Sequence, residues 1–530
     1  MMKLFPFLTA AAVASSQGDP FSWSPCPDVQ DPQVQCGALK VPLDHLHPAK
    51  NQTIDIAVRR YRAKNPKGTI LLNPGGPGGA GTTLATLEFL TLTGGQHDVL
   101  GFDPRGIGAS RPFKCTKNGF TGAQEQAAIG AKSVPYDTDS SDTSLGRFGA
   151  DIEAQIRRCE HYDGDYLKYL STAFVARDMD LIRAALGEDV LNYYGISYGT
   201  YIGATYANMF PTRIGRFVID SVVDPEIFSG PATELMPYCL THTESVFEGF
   251  GSECEAAGPT KCPLVKPSSQ RDHVAANLRT FLATADESPL LLRTQDGDVA
   301  VVTGAQLRWT LFQAMYDPTT WPDVARTFAS YMAGTTVPPA AASACPTPES
   351  YRGGGLEFPI FVANDGTNQQ PGDWDGAFLD SKANSPLFGA PWAAMALAVK
   401  YWKTTPVERY AGPWDKKLNR PILILQNHVD PVTPIESAHH LAYIMGNNAV
   451  LVTRNGFGHG AYGQPSKCLQ TITTTFFNTG KYPMAGTNCK LDVSPFESAS
   501  EVAKSIDDEE LENARRSVTT MVSNMHKGKF

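Results

Sequence analysis

Short apolar runs alternate with amphipathic stretches along the first part of the chain. The strand-like runs from residue 53 onward are TIDIAVRRY, GTILLNP, HDVLGFD, VLNYYG and RFVIDSVVD. Between them, apolar residues follow a helical spacing near residues 82–92, 173–186 and 199–209. Strands that alternate with helices are typical of a parallel sheet covered by helices. The pattern therefore predicts an α/β fold with a mostly parallel sheet flanked by helices.

The alternation stops after Asp224-Pro225 and resumes near residue 421. The helical stretches in between include TELMPYCLTHTESVFEGF, HVAANLRTFLATA and GAQLRWTLFQAMY, separated by Pro-rich and Gly-rich breaks. The later runs PILILQN and NAVLVTRN are short, apolar and bounded by polar turns, as buried strands are. We therefore expect a core formed by residues 17–225 and 406–530, interrupted by a largely helical lid insertion at 226–405.

Two other segments carry simpler expectations. The run LFGAPWAAMALAV at 387–399 contains Pro391 and is too short to cross a bilayer, so it predicts a buried helix. The last 30 or so residues are rich in charge and in helix formers, and they predict a surface helix with a frayed end.

Composition narrows the classes of function. Hydrophobic residues make up 42% of the 530 residues and charged residues 19%, which is typical of a compact globular protein. The formal net charge is −9, and basic residues do not cluster beyond short pairs such as Arg59-Arg60. Because nucleic acid is bound through a concentrated basic surface, this balance argues against a nucleic-acid partner.

The first sixteen residues, MMKLFPFLTAAAVASS, have the pattern of a secretory signal peptide. Lys3 precedes an apolar run from Leu4 to Ala14 that ends in small residues. An apolar run of about eleven residues is too short for a membrane anchor. We therefore expect residues 1–16 to direct secretion to the extracellular space, with no membrane association. The sequon Asn51-Gln52-Thr53 is compatible with a glycoprotein.

The ten cysteines also fit an oxidising compartment. None of them forms a C-x-x-C pair, which argues against a zinc site. Disulfide bonds are the better interpretation. The most plausible pairs by sequence distance are Cys26 with Cys36, Cys254 with Cys262, and Cys468 with Cys489.

A single serine stands between two glycines in NYYGISYGTYIGATYANMF, residues 192–210. The motif of Gly195, Ser197 and Gly199 follows a strand-like run and precedes a helical one. This arrangement favours a tight turn that exposes the hydroxyl of Ser197 as a nucleophile. With 47 glycines in the chain, the motif alone is weak evidence, so its partners must decide.

A serine nucleophile needs a base, and the base needs an acid that orients it. Asp430 follows the strand-like run PILILQN, and His459 lies in the loop GFGHGAYG after NAVLVTRN. The order Ser197, Asp430, His459, each just beyond a strand, is that of the α/β-hydrolase triad. Asp220 is a rival acid, and Asp430 could serve only as a helix cap. The nearer histidines do not occupy such a loop; they are His428, His439 and His440.

Acyl transfer also needs backbone N–H groups that bind the developing oxyanion. One donor is expected to be the amide of Tyr198, directly after the nucleophile. The other should come from NPGGPGGAG at 73–81, where Gly76 is favoured and Gly75 is the alternative. The same loop has a competing interpretation, because Gly76, Gly78 and Gly81 form G-x-G-x-x-G with Asp103 about 20 residues later. A dinucleotide-binding oxidoreductase would leave Ser197, Asp430 and His459 unexplained.

Several motifs together resemble the secreted tripeptidyl aminopeptidase-like serine peptidases, relatives of the prolyl aminopeptidases within the α/β-hydrolase fold. The motifs are CGALKVPLDHLHP, NPGGPGGAG, GFDPRGIGAS, YYGISYGTYIGATYANMFP, and the block from YAGPWDKKLNRPILILQNHVDPVTP through GFGHGAYGQPSKC. The resemblance implies Ser197 as nucleophile, Asp430 as orienting acid and His459 as general base. It also implies a lid that limits entry to free peptide N-termini, and no cofactor.

Substrate choice is left open by the sequence. A lid of this kind would supply a carboxylate for the substrate's amine, and the candidates are Asp224, Glu226, Glu234 and Asp365. A carboxylesterase or other small-molecule hydrolase would use the same triad. A protein of another class, a catalytically silent binding protein on the same scaffold, would keep the fold but not the reactive serine.

Overall fold

The structure is a computed structural model that describes most of the chain. The described residues are 19–117, 137–141, 143–266, 273–293, 297–334, 356–367, 372–461 and 464–497. The expected signal peptide and the expected C-terminal surface helix lie outside these ranges, as does Cys345. Among the described helices, none is both long enough and apolar enough to cross a bilayer.

Ten strands form one sheet, and two more form a separate hairpin. In chain order the strands are β1 (Ser24–Pro25), β2 (Val34–Pro42), β3 (Thr53–Tyr61), β4 (Thr69–Asn73), β5 (Asp98–Phe102), β6 (Leu191–Ile196), β7 (Ile214–Asp220), β8 (Leu290–Arg293), β9 (Val299–Val302), β10 (Ile422–Val429), β11 (Ala449–Phe457) and β12 (Asn488–Cys489). The spatial order of the large sheet is β1-β2-β3-β5-β4-β6-β7-β10-β11-β12, and β8 pairs only with β9. From β5 to β12 all neighbours are parallel, whereas β1, β2 and β3 add an antiparallel edge.

The central strands are apolar on both faces because each face is covered. Every residue of β4 and β5 is buried. Leu71 and Leu100 pack into one apolar core, whereas Ile70, Leu72 and Val99 pack into a second core on the opposite face. Successive side chains of a strand point to opposite faces, so this division is what a sheet between two helical layers requires. The predicted α/β fold is confirmed.

Sixteen helices are described. They are α1 (Leu87–Leu92), α2 (Ser144–Leu167), α3 (Thr172–Ala185), α4 (Tyr198–Met209), α5 (Pro225–Phe228), α6 (Ala232–Cys239), α7 (Thr243–Lys261), α8 (Val274–Glu287), α9 (Gly304–Met315), α10 (Trp321–Met332), α11 (Glu357–Asp365), α12 (Trp374–Asn384), α13 (Gly389–Met395), α14 (Leu397–Tyr401), α15 (Ile435–Met445) and α16 (Lys467–Thr479). Short 3-10 turns lie at Gly81–Leu84, Pro318–Thr320 and Gly446–Asn448.

Two runs expected to form single helices are each split. TELMPYCLTHTESVFEGF forms α6 and α7. Pro237 has no N–H to donate to the helix, and the hydroxyl of Thr241 donates to the carbonyl of Tyr238 at 2.6 Å in place of a backbone N–H. LFGAPWAAMALAV contributes to α13 and α14, which are separated by a turn at Ala396. The burial expected for the second run is correct.

Four disulfides crosslink the described chain. The three expected pairs form, at Cys26–Cys36, Cys254–Cys262 and Cys468–Cys489. A fourth, Cys115–Cys159, joins the loop after β5 to α2. Cys239 is unpaired within the described residues.

The parallel strands bring their carboxyl ends to one edge of the sheet. The loop after β4, the turn after β6 and the loops after β10 and β11 all leave this edge. In open α/β sheets this edge is where ligands bind. Between β7 and β10, which are neighbours in the sheet, the chain forms α5 to α14 and the β8–β9 hairpin. We call this segment the insertion.

Candidate active site

Ser197 occupies a strained turn between β6 and α4. Its backbone has φ 59° and ψ −126°, a positive φ that costs a residue with a side chain roughly 1–3 kcal/mol. Two hydrogen bonds hold the turn. The N–H of Ser197 donates to the carbonyl of Asp220 at 2.9 Å, and the hydroxyl of Thr200 donates to the carbonyl of Ser197 at 2.6 Å. Ser197 is only 5% exposed, so the turn lies in an enclosed site.

The two glycines around Ser197 are needed for close packing of the backbone. A Cβ atom at Gly195 would lie 2.5 Å from the carbonyl oxygen of Gly199. A Cβ atom at Gly199 would lie 2.8 Å from the carbonyl oxygen of Asn73 at the end of β4. The motif therefore allows α4 to start directly against β4 and β6, which places the turn at the edge of the sheet.

His459 and Asp430 form a hydrogen-bonded pair. Nδ1 of His459 lies 2.9 Å from Oδ2 of Asp430 and 3.1 Å from Oδ1. Burial alone would raise the pKa of Asp430, but His459 and the N–H groups of Val432 and Thr433 hold the pKa below its usual value. The carboxylate is therefore charged and accepts a hydrogen from Nδ1, which leaves Nε2 as the basic nitrogen.

Asp430 makes the contacts that both interpretations of its role require. Its Oδ1 accepts hydrogen bonds from the N–H groups of Val432 at 3.0 Å and Thr433 at 2.9 Å, as a turn cap would. The same carboxylate orients His459. The rival acid Asp220 instead accepts the hydroxyl of Tyr194 at 2.8 Å and the N–H of Ala461 at 2.8 Å.

The loop that carries His459 is held by groups the sequence did not single out. The side-chain amide of Asn427 donates to the carbonyls of Gly458 and Gly460 at 2.7 and 2.9 Å. The N–H of His459 donates to the carbonyl of Tyr316 at 2.9 Å, and the Tyr316 ring meets the imidazole edge-on at 5.2 Å between ring centres. Tyr316 follows α9 in the insertion, so the insertion contacts His459 directly.

The glycine loop after β4 lies against the serine turn. A Cβ atom at Gly75 would lie 2.8 Å from the N atom of Tyr198, the first residue of α4. The N–H of Gly75 already donates to Oδ1 of Asn73 at 2.9 Å. Of the two expected loop donors, Gly76 is therefore better suited to bind an oxyanion together with Tyr198.

The same geometry disfavours a dinucleotide site. A Cβ atom at Gly81 would collide with the carbonyl of Phe102, so this glycine serves the packing of the loop against β5. The carboxylate of Asp103 accepts hydrogen bonds from the N–H groups of Thr82 at 3.0 Å and Ala109 at 2.9 Å. Asp103 is 2% exposed, so the acid that would bind a ribose is used within the fold.

The four acids proposed as amine partners occupy different environments. Asp224 caps α5 and contacts Nδ1 of His440 at 2.6 Å, with Glu226 3.6 Å from the other nitrogen of the same ring. Glu234 is exposed on α6. Asp365 is fully buried, and its carboxylate accepts the N–H of Thr172 at 2.9 Å.

Glu357 is a fifth acid that the sequence analysis missed. It begins α11, and a Cβ atom at Gly78 of the glycine loop would lie 3.2 Å from its Cβ atom. Glu357 therefore lies directly against the glycine loop and is a further candidate for the acid expected in the insertion. No local pattern marks Glu357, because its place depends on how α11 packs.

Comparisons with known proteins agree with this fold. A family model described as "alpha/beta hydrolase fold" matches residues 68–237, and one described as "TAP-like protein" matches residues 385–489. The chain is 28% identical over 506 residues to the tripeptidyl aminopeptidase of Streptomyces lividans, covering 92% of this chain and 89% of the relative. It is 27% identical over 497 residues to serine protease Hip1 of Mycobacterium tuberculosis, covering 89% and 91%. It is 26% identical over 502 residues to carboxylesterase B of the same species, covering 88% and 89%.

The segment that matches the α/β-hydrolase model contains the glycine loop and Ser197, and the segment that matches the TAP-like model contains Asp430 and His459. The relatives extend across nearly the whole chain, including the insertion. The chain is therefore a serine hydrolase of the α/β-hydrolase fold, and its resemblance to the tripeptidyl aminopeptidase-like serine peptidases is confirmed.

Proposed function

We propose that the protein is a secreted serine exopeptidase that releases short peptides, tripeptides foremost, from free N-termini through an acyl-enzyme. The observation that carries this proposal is the Asp430–His459 pair, which lies at the same sheet edge as the strained turn of Ser197. The similarity to a tripeptidyl aminopeptidase over 92% of the chain supports a peptide substrate.

In the proposed reaction, Nε2 of His459 accepts the proton of the Ser197 hydroxyl as the oxygen attacks the scissile carbonyl. The charged carboxylate of Asp430 stabilises the imidazolium that forms. The amides of Tyr198 and Gly76 bind the oxyanion. His459 then donates its proton to the leaving amine. Water next attacks the acyl carbon while His459 accepts a proton from it, and return of that proton to the Ser197 oxygen releases the peptide.

The proposed lid at 226–405 would explain why the ends of chains are cleaved. Tyr316 lies against the base, and Glu357 lies against the glycine loop. A wall at this place would limit the number of residues on the acyl side of the scissile bond. Three extended residues span about 10 Å. A carboxylate such as that of Glu357 would attract the free amine at the end of this space.

Secretion is part of the proposal and has two supports. The first sixteen residues have the charge and apolar pattern of a signal peptide. The four disulfides are of the kind that persist in an oxidising compartment.

The direct test is digestion of a defined peptide mixture by the purified protein, with the products identified by mass spectrometry. Half of each peptide is acetylated at its N-terminus. We expect tripeptides from the free peptides only, and no products from Ser197→Ala, whose kcat should fall by about six orders of magnitude. Internal cleavage, or equal cleavage of acetylated peptides, would refute an exopeptidase.

The similarity to carboxylesterase B favours a second candidate, an esterase that uses the same residues. Comparing kcat/KM for a tripeptidyl arylamide and a short acyl ester separates the two. A peptidase should hydrolyse the arylamide and lose most of this activity when its amine is blocked. An esterase should prefer the acyl ester and leave the arylamide intact.

A further inference from the structure

Asp220 and Ser221 lie between the two loops that carry Ser197 and His459. Asp220 is the last residue of β7, the strand between β6 and β10, Ser221 follows it, and both residues are buried. Neither belongs to the proposed triad. Their contacts nevertheless reach both of its loops.

Four hydrogen bonds converge on this dipeptide. The carbonyl of Asp220 accepts the N–H of Ser197 at 2.9 Å. Its carboxylate accepts the N–H of Ala461 at 2.8 Å, and the hydroxyl of Ser221 accepts the N–H of Gly460 at 2.8 Å. The fourth bond comes from Tyr194 on β6, whose hydroxyl donates to the carboxylate of Asp220 at 2.8 Å.

The conformation of Ser221 indicates that these bonds hold the backbone in place. Ser221 has φ 61°, a conformation that costs a serine roughly 1–3 kcal/mol. Its N–H donates to the carbonyl of Leu425 on β10 at 3.0 Å. Strain of this kind persists only where the surroundings over-determine the conformation. Here the surroundings are the turn of Ser197, the residues that follow His459 and strand β10.

We propose that Asp220 and Ser221 are positioning residues that hold the loop of His459 in register with the turn of Ser197, and that the carboxylate of Asp220 also stabilises protonated His459. This inference rests on the proposed roles of Ser197 and His459. It does not depend on whether the substrate is a peptide or an ester.

The electrostatic part follows from the groups that face the carboxylate. Tyr194 and Ala461 donate hydrogen bonds to it, Ser221 contacts it at 3.4 Å, and the charges of His459 and Arg454 act on it through space. Burial raises the pKa of Asp220 to about 6, against the hydrogen bonds from Tyr194 and Ala461 and the charges of His459 and Arg454. The carboxylate is therefore largely charged above neutral pH, where it favours the imidazolium that forms during attack.

The test uses the second-order rate of labelling of Ser197 by a fluorophosphonate, measured from pH 5 to pH 9. This reaction needs an activated serine but no particular substrate. Asp220→Asn keeps an oxygen that accepts the N–H of Ala461 but removes the charge. We expect labelling about tenfold slower and an acidic limb displaced to lower pH by about half a unit. Ser221→Gly removes the bond from Gly460 and the 3.4 Å contact between the Ser221 hydroxyl and the Asp220 carboxylate, but it keeps the charge of Asp220 and tolerates the positive φ. It should slow labelling several-fold without moving the acidic limb.

Asp98→Asn is the matched control. Asp98 is also a buried carboxylate that accepts a backbone N–H, from Ala63 at 2.7 Å, but it begins β5 at the opposite edge of the sheet. Its labelling profile should match that of the wild type. Thermal unfolding verifies that each variant is folded. If Asp220→Asn keeps the wild-type rate and acidic limb, the inference is wrong. If the wild-type protein itself is not labelled, the proposed function fails instead.

Discussion

Asn73 connects the sheet to the glycine loop at the scale of a single residue. It is the last residue of β4, and its side-chain oxygen accepts the N–H of Gly75. Its carbonyl lies against Gly199 on the far side of the serine turn. One side chain thus fixes the start of the glycine loop relative to the turn of Ser197.

Asn73→Leu should therefore lower kcat while leaving KM within a few-fold of the wild-type value. Without the acceptor for the N–H of Gly75, the loop can turn the amide of Gly76 away from the oxyanion. Since loss of a whole oxyanion donor costs about 100- to 1000-fold, we expect a loss of about 10- to 100-fold. Steady-state kinetics with the preferred substrate measure it. Asn208→Leu removes an equally buried amide from the far end of α4 and should lower stability more than kcat.

Two glycines test the packing interpretation of the glycine loop. Gly81→Ala should destabilise the protein by about 1–3 kcal/mol, because the new methyl group collides with the backbone of Phe102. Gly146→Ala is the control. Gly146 is exposed on helix α2, and no atom would lie within 4 Å of the added carbon. It should stabilise the protein by up to about 1 kcal/mol. Denaturant unfolding measures both, and equal effects would contradict the assignment.

At the scale of elements, α11 joins the insertion to the core beneath the serine turn. Asp365 ends α11, and its carboxylate accepts the N–H and the hydroxyl of Thr172 at the start of α3. The hydroxyl of Tyr198 lies 2.5 Å from the same Thr172 oxygen. The guanidinium of Arg409 donates to the backbone carbonyl of Asp365. A buried acid of the insertion is thereby linked to Tyr198, the residue after Ser197.

Burial raises the pKa of Asp365 to about 7, although the bonds from Thr172 and the charge of Arg409 lower it. The native protein therefore holds a proton between about pH 4 and pH 7 that the unfolded chain releases. Stability contributed at this site must fall as pH rises through that window. Asp365→Asn imitates the protonated acid. It should match the wild type only below about pH 4, and its excess stability over the wild type should grow by roughly 2–3 kcal/mol between pH 5 and pH 8.

Calorimetric unfolding at pH 5 and pH 8 measures this difference. Asp375→Asn on the exposed surface of α12 is the control, and it should track the wild type at both pH values. A constant difference between Asp365→Asn and the wild type would mean that the carboxyl does not titrate in this window.

The local pattern of apolar and polar residues was sufficient to find the strands that carry the three candidate catalytic residues. β6, β10 and β11 were predicted within one or two residues, and each delivers one candidate from its end: Ser197, Asp430 and His459. The contacts of Tyr316 and Glu357 could not be predicted, because they depend on how the insertion packs on the sheet. The same limit explains why α6 and α7 were taken as one helix. Hydrophobic spacing continues across their boundary, whereas Pro237 and the hydrogen bond from the Thr241 hydroxyl to the backbone end the first helix.

At the scale of the whole molecule, the insertion contacts each part of the site. Tyr316 holds His459, and the hydroxyl of Thr243 donates to the carbonyl of Pro431 beside Asp430 at 2.6 Å. Glu357 lies on the glycine loop, and Asp365 is linked to Tyr198 through Thr172. The segment is therefore a structural part of the site, whatever motion admits the substrate.

Disulfides should contribute to stability according to the length of chain that they close. Cys115 and Cys159 are 44 residues apart, whereas Cys254 and Cys262 are 8 apart. Restricting the unfolded chain contributes about 4 and about 2.5 kcal/mol in these two cases. Changing both cysteines of a pair to serine, with unfolding followed by denaturant, should show the larger loss for Cys115 and Cys159. The reverse order would show that native contacts at these bonds outweigh loop length.

The position of the insertion also shapes how this protein is made. β7 and β10 are side by side in the sheet, yet about 200 residues separate them along the chain. At about 5–20 residues per second, a ribosome needs roughly 10–40 s to produce that stretch. Throughout that time the outer edge of β7 has no neighbour, and an open apolar edge readily recruits other chains. Premature stop codons upstream of residue 422 should therefore yield aggregates rather than a smaller folded protein.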